Sequence, residues 1–216
     1  MKGILIVAIA IAFLTAFAGS CPAAPQEPGG GAKPLVVYFS VPETDKPGNM
    51  TREEDNSTVV VDGAVLGNTQ YVALLIQERT GADIFRIKPE KPYPVEHRTL
   101  VDLAKREQND KARPKLAGDL PDIGRYDVIF LGYPNWWGDL PMILYTFLEK
   151  TNLSGKTVVP FITHGGSGFS RTVDSIASLQ PNATVVREGI SIHRDAVHDC
   201  AGNVDAWLGR LGLKRK

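Results

Sequence analysis

Three short loops hold the residue types that could do chemistry, and each follows an apolar, strand-like run. The run LVVYFS (35–40) ends in Ser40, and its loop resumes at Gly67-Asn68-Thr69, where a helical pattern opens. The run YDVIFLGY (126–133) passes into Tyr133-Pro134-Asn135-Trp136-Trp137-Gly138-Asp139. The run TVVPFIT (157–163) passes into Thr163-His164-Gly165-Gly166-Ser167-Gly168-Phe169-Ser170. Strands that alternate with helices form a parallel sheet, and such sheets bind ligands in the crevice beyond the carboxyl ends of their strands. A hydroxyl-and-amide loop, an aromatic loop and a glycine loop at that edge suit a flat aromatic ligand with a phosphate tail.

Each loop has a chemical reading and a plainer one. A helix N-terminus offers unpaired N–H groups and partial positive charge, so Gly67, Asn68 and Thr69 with Ser40 can cradle a phosphate. Taken alone, the same triplet is an ordinary helix cap. No lysine follows in a Walker arrangement, which argues against nucleoside-triphosphate chemistry. Trp136 and Trp137 lie in a loop between glycines, where an indole can stack on an isoalloxazine ring. One of that pair is expected to plug the core, as is Trp207 beside Leu208 and Leu211. Gly165, Gly166 and Gly168 with Ser167 bring backbone amides to where a flavin's pyrimidine edge would sit, and His164 is either a contact or a structural histidine. The ligand that satisfies all three loops is flavin mononucleotide (FMN).

Other chemistries fit less well. There is no G-x-S-x-G elbow; Gly166-Ser167-Gly168 with His193 or His198 downstream is a weak hydrolase constellation. The two cysteines and four histidines show no metal-ligand spacing. The chain has 24 basic and 24 acidic residues and no net charge, so nothing draws it to nucleic acid.

The elements that must position these loops follow from periodicity. Strands are expected at 35–40, 83–87, 126–132, 157–163 and 184–192. Helices are expected from Asn68 to Gly81, at about 96–112, 142–149 after Pro141, 170–179 and 195–213. Five strands and five helices give an α/β three-layer sandwich with a five-stranded parallel sheet in the order 2-1-3-4-5. The domain spans 35–213, interrupted by a polar insertion at 41–66 in which Thr58 to Gly63 forms a small hairpin arm.

Residues 1–20 read as a secretory signal: Lys2, then an apolar run from Ile4 to Ala18, too short to span a bilayer. Ala16-Phe17-Ala18 fits ordinary cleavage. Ala18-Gly19-Ser20-Cys21 resembles a bacterial lipoprotein box, which would acylate Cys21 and anchor the chain to the cell envelope. Residues 21–34, rich in Pro, Gly and Ala, read as a flexible tether. Without acylation, Cys21 and Cys200 could form a disulfide in an oxidising compartment.

Taken in order, these stretches resemble a bacterial flavodoxin-like family of FMN-binding proteins. GYPNWWG and THGGSG are the most specific parts; LGNTQYVALLIQERTGADIFRI and YDVIFLGYPNWWGDLPMILYTFLE extend the likeness over about 35–213. The resemblance implies a flavodoxin fold and non-covalent FMN. It implies that Ser40, Gly67, Asn68 and Thr69 hold the phosphate, and that 133–138 (Tyr133, Pro134, Asn135, Trp136, Trp137, Gly138) and 164–168 flank the ring. The chain departs from short flavodoxins at 41–66, and which inserted residues reach FMN, Glu43 and Thr51 among them, stays open. The expected role is electron transfer to a redox protein, quinone or other small acceptor. An NAD(P)H-dependent FMN or quinone reductase is the alternative, and a cofactor-free binding module a further one. Only Asp139 and His164 stand out as acid–base candidates.

Overall fold

Leu35, Val37 and Phe39 face one hydrophobic core, and Val36 and Tyr38 between them face a second. A parallel strand covered by helices on both faces requires that two-sided burial, which explains its unbroken apolar run. The computed structural model describes residues 33–215. In chain order its elements are β1 (Pro34–Tyr38), α1 (Arg52–Ser57), β2 (Thr58–Val61), β3 (Ala64–Gly67), α2 (Asn68–Thr80), β4 (Asp83–Arg86) and α3 (His97–Asn109). There follow β5 (Val128–Pro134), α4 (Met142–Lys150), β6 (Thr157–His164), α5 (Thr172–Leu179), β7 (Thr184–Val185), β8 (Ile190–His193) and α6 (Ala201–Arg210).

The sheet runs β4-β1-β5-β6-β7, all parallel, with β8 also paired to β6. Counting only sheet strands, this is the expected 2-1-3-4-5 order, with β7 and β8 sharing the fifth place. Leu100 of α3, Ile143 and Phe147 of α4 and Ile176 of α5 pack on the first core; Val72 and Ile76 of α2 with Val204 and Trp207 of α6 pack on the second. Trp207 is a core residue, as its helical neighbours suggest, and its indole N–H donates to the Glu188 carbonyl at 2.9 Å.

Two expectations change. The strand expected at 184–192 is broken at 186–189. Val186 donates to the Val158 carbonyl of β6. Backbone groups two residues apart on a strand face the same neighbour, so the N–H that Pro160 lacks would point to this same side. The ladder therefore breaks beside Pro160, and Gly189 packs against the Pro160 carbonyl before pairing resumes at Ile190. The last helix also starts later: a short 3-10 turn at 194–196 precedes α6. Within the insertion the expected hairpin arm is present, and a short helix precedes it. Thr51 and Glu54 form a reciprocal capping box that starts α1. Asp62 and Gly63 both take positive φ, the signature of a type I′ turn, and close the hairpin β2–β3.

The sequence-expected signal at 1–20, tether residues 21–32 and Cys21, with its acylation or its disulfide to Cys200, lie outside the described residues. Cys200 is fully buried, and burial pushes its thiol pKa up to about 11. No helix among the described residues is long and apolar enough to cross a membrane.

Candidate functional site

The carboxyl ends of β1, β5 and β6 open into a cleft of about 470 Å³ that also touches the insertion, α3 and the turn after β8. Its two ends differ in chemistry.

The polar end forms around the start of α2. Gly67 is the N-cap residue, and its backbone lies against Ser40: a Cβ there would sit 2.2 Å from the Ser40 Oγ. Only glycine lets the two segments flanking the insertion come together so closely. Ser40, Asn68 and Thr69 are buried. The Thr69 and Thr163 hydroxyls share a hydrogen bond of 2.8 Å, tying the first turn of α2 to the end of β6. The Asn68 amide donates to the Asn56 carbonyl at 2.8 Å, tying α2 to the insertion. Its Oδ1 is buried without a partner.

The aromatic end is a tight turn. Trp136 and Asp139 exchange two backbone hydrogen bonds of 3.1 Å, with Trp137 and Gly138 at positive φ between them. That geometry is a type I′ turn, which Gly138 suits and Trp137 tolerates. Trp136 packs edge-on to Phe39 and Tyr93, with centroids 5.4 and 5.3 Å away, while still lining the cleft. Trp137 is 51% exposed; its indole N–H donates to the Val101 carbonyl at 3.1 Å, and Lys105 lies over its ring. One indole thus plugs the core edge and the other forms a rim, the division anticipated for the pair.

Asn135 couples this turn to the glycine loop. Its side chain donates to the Gly168 carbonyl at 2.7 Å and accepts from the Gly138 N–H at 3.0 Å. Asp139 is an anchor rather than a cleft group. Its buried carboxylate accepts from the Leu140 N–H at 2.8 Å and the Tyr145 hydroxyl at 3.1 Å, and pairs with Arg171 at 3.1 Å.

Of the sequence-chosen residues, Ser40, Asn68, Thr69, Pro134, Asn135, Trp136, Trp137, His164 and Gly165 line the cleft together. Gly67, Tyr133, Gly138, Gly166, Ser167 and Gly168 do not line it. Tyr133 is the clearest difference: strand alternation turns its side chain into the first core, where it is fully buried. Gly67 and Gly138 act by shaping the backbone. No hydrogen bond joins Ser167 to a histidine among the described residues, so the hydrolase constellation is not assembled; the Ser167 backbone carbonyl accepts from the Ser170 hydroxyl at 3.0 Å. His164 accepts from the Gly166 N–H through Nδ1 at 2.9 Å. Burial, with His193 5.5 Å away ring to ring, holds its pKa below the ordinary imidazole value.

Residues that sequence reasoning did not assign also line the cleft: Glu43, Asn56 and Ser57 of the insertion, His97 and Val101 of α3, and Arg194. Glu43 pairs with His97 at 2.8 Å, closing the insertion onto the start of α3. Burial raises the Glu43 pKa, against the opposing pull of His97. Arg194 carried one readable signal, since it directly follows an apolar strand and so belongs to the sheet's carboxyl edge.

A flavodoxin family model matches residues 58–209. Among solved structures, a candidate flavoprotein of Bacteroides eggerthii is 28% identical, with a TM-score of 0.63 over 85% of this chain and 100% of its own. A candidate flavoprotein of Bacteroides uniformis is 27% identical, with a TM-score of 0.58 over 79% of this chain and 97% of its own. A Lactobacillus acidophilus flavoprotein solved in complex with FMN is 21% identical, with a TM-score of 0.54 over 82% of this chain and 99% of its own, and shares the fold. A search of curated protein sequences finds no match.

Proposed function

The chain belongs to the flavodoxin family, and from that premise we propose that it binds FMN non-covalently in this cleft and serves as an electron-transfer protein. The observation that carries the reading is the division of one cleft into a donor-rich end at a helix N-terminus and an aromatic end. The residues fit such a ligand. Ser40 and the first N–H groups of α2 supply donors for phosphate oxygens, and the close packing of Gly67 against Ser40 holds those two donor sets together. The unpartnered Asn68 Oδ1 is an acceptor that ribityl hydroxyls would satisfy.

When bound, the flavin supplies the redox chemistry, and the protein supplies binding, orientation and electrostatics. Trp136, Trp137 and Val101 would flank the ring and exclude water. Asn135 and Asp139 hold the aromatic turn in place for that contact. His164, its pKa lowered by burial, stays neutral at pH 7 and adds no charge beside the ring. Gly165 would meet the ligand with its backbone groups.

The donor and acceptor we propose are a redox protein or a small acceptor such as a quinone. We further propose an exported protein, on the strength of the signal-like residues 1–20 and the lipoprotein-like Cys21. The deciding experiment is a titration of the purified apoprotein with FMN, followed by flavin fluorescence. Stoichiometric quenching is expected; fluorescence unchanged at micromolar protein ends the proposal. Adding NAD(P)H and a quinone to the loaded protein then separates a carrier, which shows no turnover, from a reductase, which does.

A further inference from the structure

A phosphate monoester brings a charge of about −1.5 to −2 at pH 7. A helix N-terminus offsets only about half an elementary charge. The polar end of the cleft has also spent part of its side-chain donor capacity within the protein. Thr69 bonds Thr163, and the Asn68 amide bonds the Asn56 carbonyl. Four titratable side chains line the cleft among the described residues: Glu43, His97, His164 and Arg194. Glu43 and His97 are committed to each other. His164 is neutral at pH 7, for burial and His193 disfavour its charged form. Arg194 is therefore the one permanent cation among them.

Its placement points the same way. Arg194 follows β8 and lies over the Gly165 backbone; a Cβ on Gly165 would come 3.2 Å from its Nη1. Gly165 comes two residues after Thr163, which is bonded to the first turn of α2. The turn carrying Arg194 also lies beside α1, whose Asn56 holds Asn68. Arg194 thus sits on the α2 side of the cleft, away from the Trp137 rim that is fastened to α3. Its Nε is buried without a hydrogen bond and lies 3.7 Å from the exposed Asp195 carboxylate, an ion pair, while the side chain as a whole is 36% exposed. Beyond that ion pair Arg194 makes no side-chain hydrogen bond among the described residues, so its guanidinium retains donors for an incoming acceptor.

We infer that Arg194 is a phosphate ligand, closing the donor set of the polar end through its guanidinium fork and making the cleft selective for phosphorylated over unphosphorylated flavin. The inference rests on the proposed FMN site and adds to it a residue outside the α2 N-terminal cradle. A guanidinium presents paired donors to phosphate oxygens, which an ammonium or an amide cannot reproduce.

The test compares FMN with riboflavin, which lacks the phosphate, in fluorescence titrations of the wild-type chain, Arg194→Gln and Arg194→Lys, with the thermal midpoint of each apoprotein as a folding control. In Arg194→Gln, FMN affinity is expected to fall by roughly 10- to 100-fold, the scale of charge-assisted hydrogen bonds, with riboflavin affinity unchanged. Arg194→Lys keeps the charge without the fork and is expected to fall between. An unchanged ratio of FMN to riboflavin affinity in Arg194→Gln, or in Arg194→Lys should the Gln variant not fold, overturns the assignment. A wild-type chain that binds neither flavin instead removes the FMN reading itself, so the two failures are distinct.

Discussion

The two ends of the cleft are built in opposite ways. The aromatic end folds on itself: residues 135–140 close a two-residue turn with their own backbone, and Asn135 and Asp139 lock it with short-range bonds. The polar end is assembled from three distant pieces: Ser40, residues 67–69 and Thr163. A local turn persists wherever its residues satisfy each other. An assembled end exists only once the sheet has formed and each piece is held by the others.

That contrast can be broken most forcefully at Asp139. Asp139→Ala strands the Leu140 N–H and the Tyr145 hydroxyl and leaves Arg171 unpaired. Urea unfolding should show a loss of about 3 kcal/mol, the scale for stripping a buried, bonded carboxylate. A loss below about 1 kcal/mol would mean the aromatic turn stands without its anchor.

The next largest effect is expected at the polar end. Gly67→Ala forces a Cβ to within 2.2 Å of the Ser40 hydroxyl, so the two segments must part. Overpacking of this kind costs about 1–3 kcal/mol, and FMN affinity should fall by at least about 10-fold, read against riboflavin as the control. Equal losses for the two flavins would place the phosphate elsewhere.

A finer comparison lies within the aromatic end. Trp136→Ala removes a ring packed on Phe39 and Tyr93 and should cost about 2 kcal/mol of stability. Trp137→Ala removes a half-exposed rim residue and should cost less than about 1 kcal/mol. Both should weaken FMN, measured by the same titration. Full FMN affinity in Trp136→Ala takes that residue out of the site.

The smallest effect concerns pH. His164 has a folded pKa below its ordinary value of 6.5, because of burial and then His193. The folded chain therefore binds that proton less tightly than the unfolded chain. The stability His164 contributes is fully present above the ordinary value and is lost as pH falls through the lowered folded value. Thermal midpoints of His164→Asn should consequently decline less steeply below pH 6.5 than those of the wild type; parallel curves would show that the imidazole does not titrate with folding.

Much of the architecture was legible because it rests on short-range rules. Apolar runs of five to eight residues separated by helical periods implied a two-sided parallel sheet, and residues 34–38, 128–134 and 157–164 fill those places. Gly138 after Trp137 marked a turn, and Gly67 before Asn68 marked a helix start. The broken fifth strand was less legible, since its cause, Pro160, lies on the neighbouring strand and acts across the ladder. In the insertion the hairpin arm was legible from Thr58 to Gly63, whereas α1, started by the capping box of Thr51 and Glu54, was not.

By itself, then, the sequence determined the sheet order, the three loops at its carboxyl edge and the family, because periodicity, glycine and proline act over a few residues. Tertiary structure alone decided which tryptophan became core and which became rim, paired Glu43 with His97 and brought Arg194 to Gly165. Those outcomes join residues far apart in the chain, and only closure of the sheet and packing of the insertion set the distances between them.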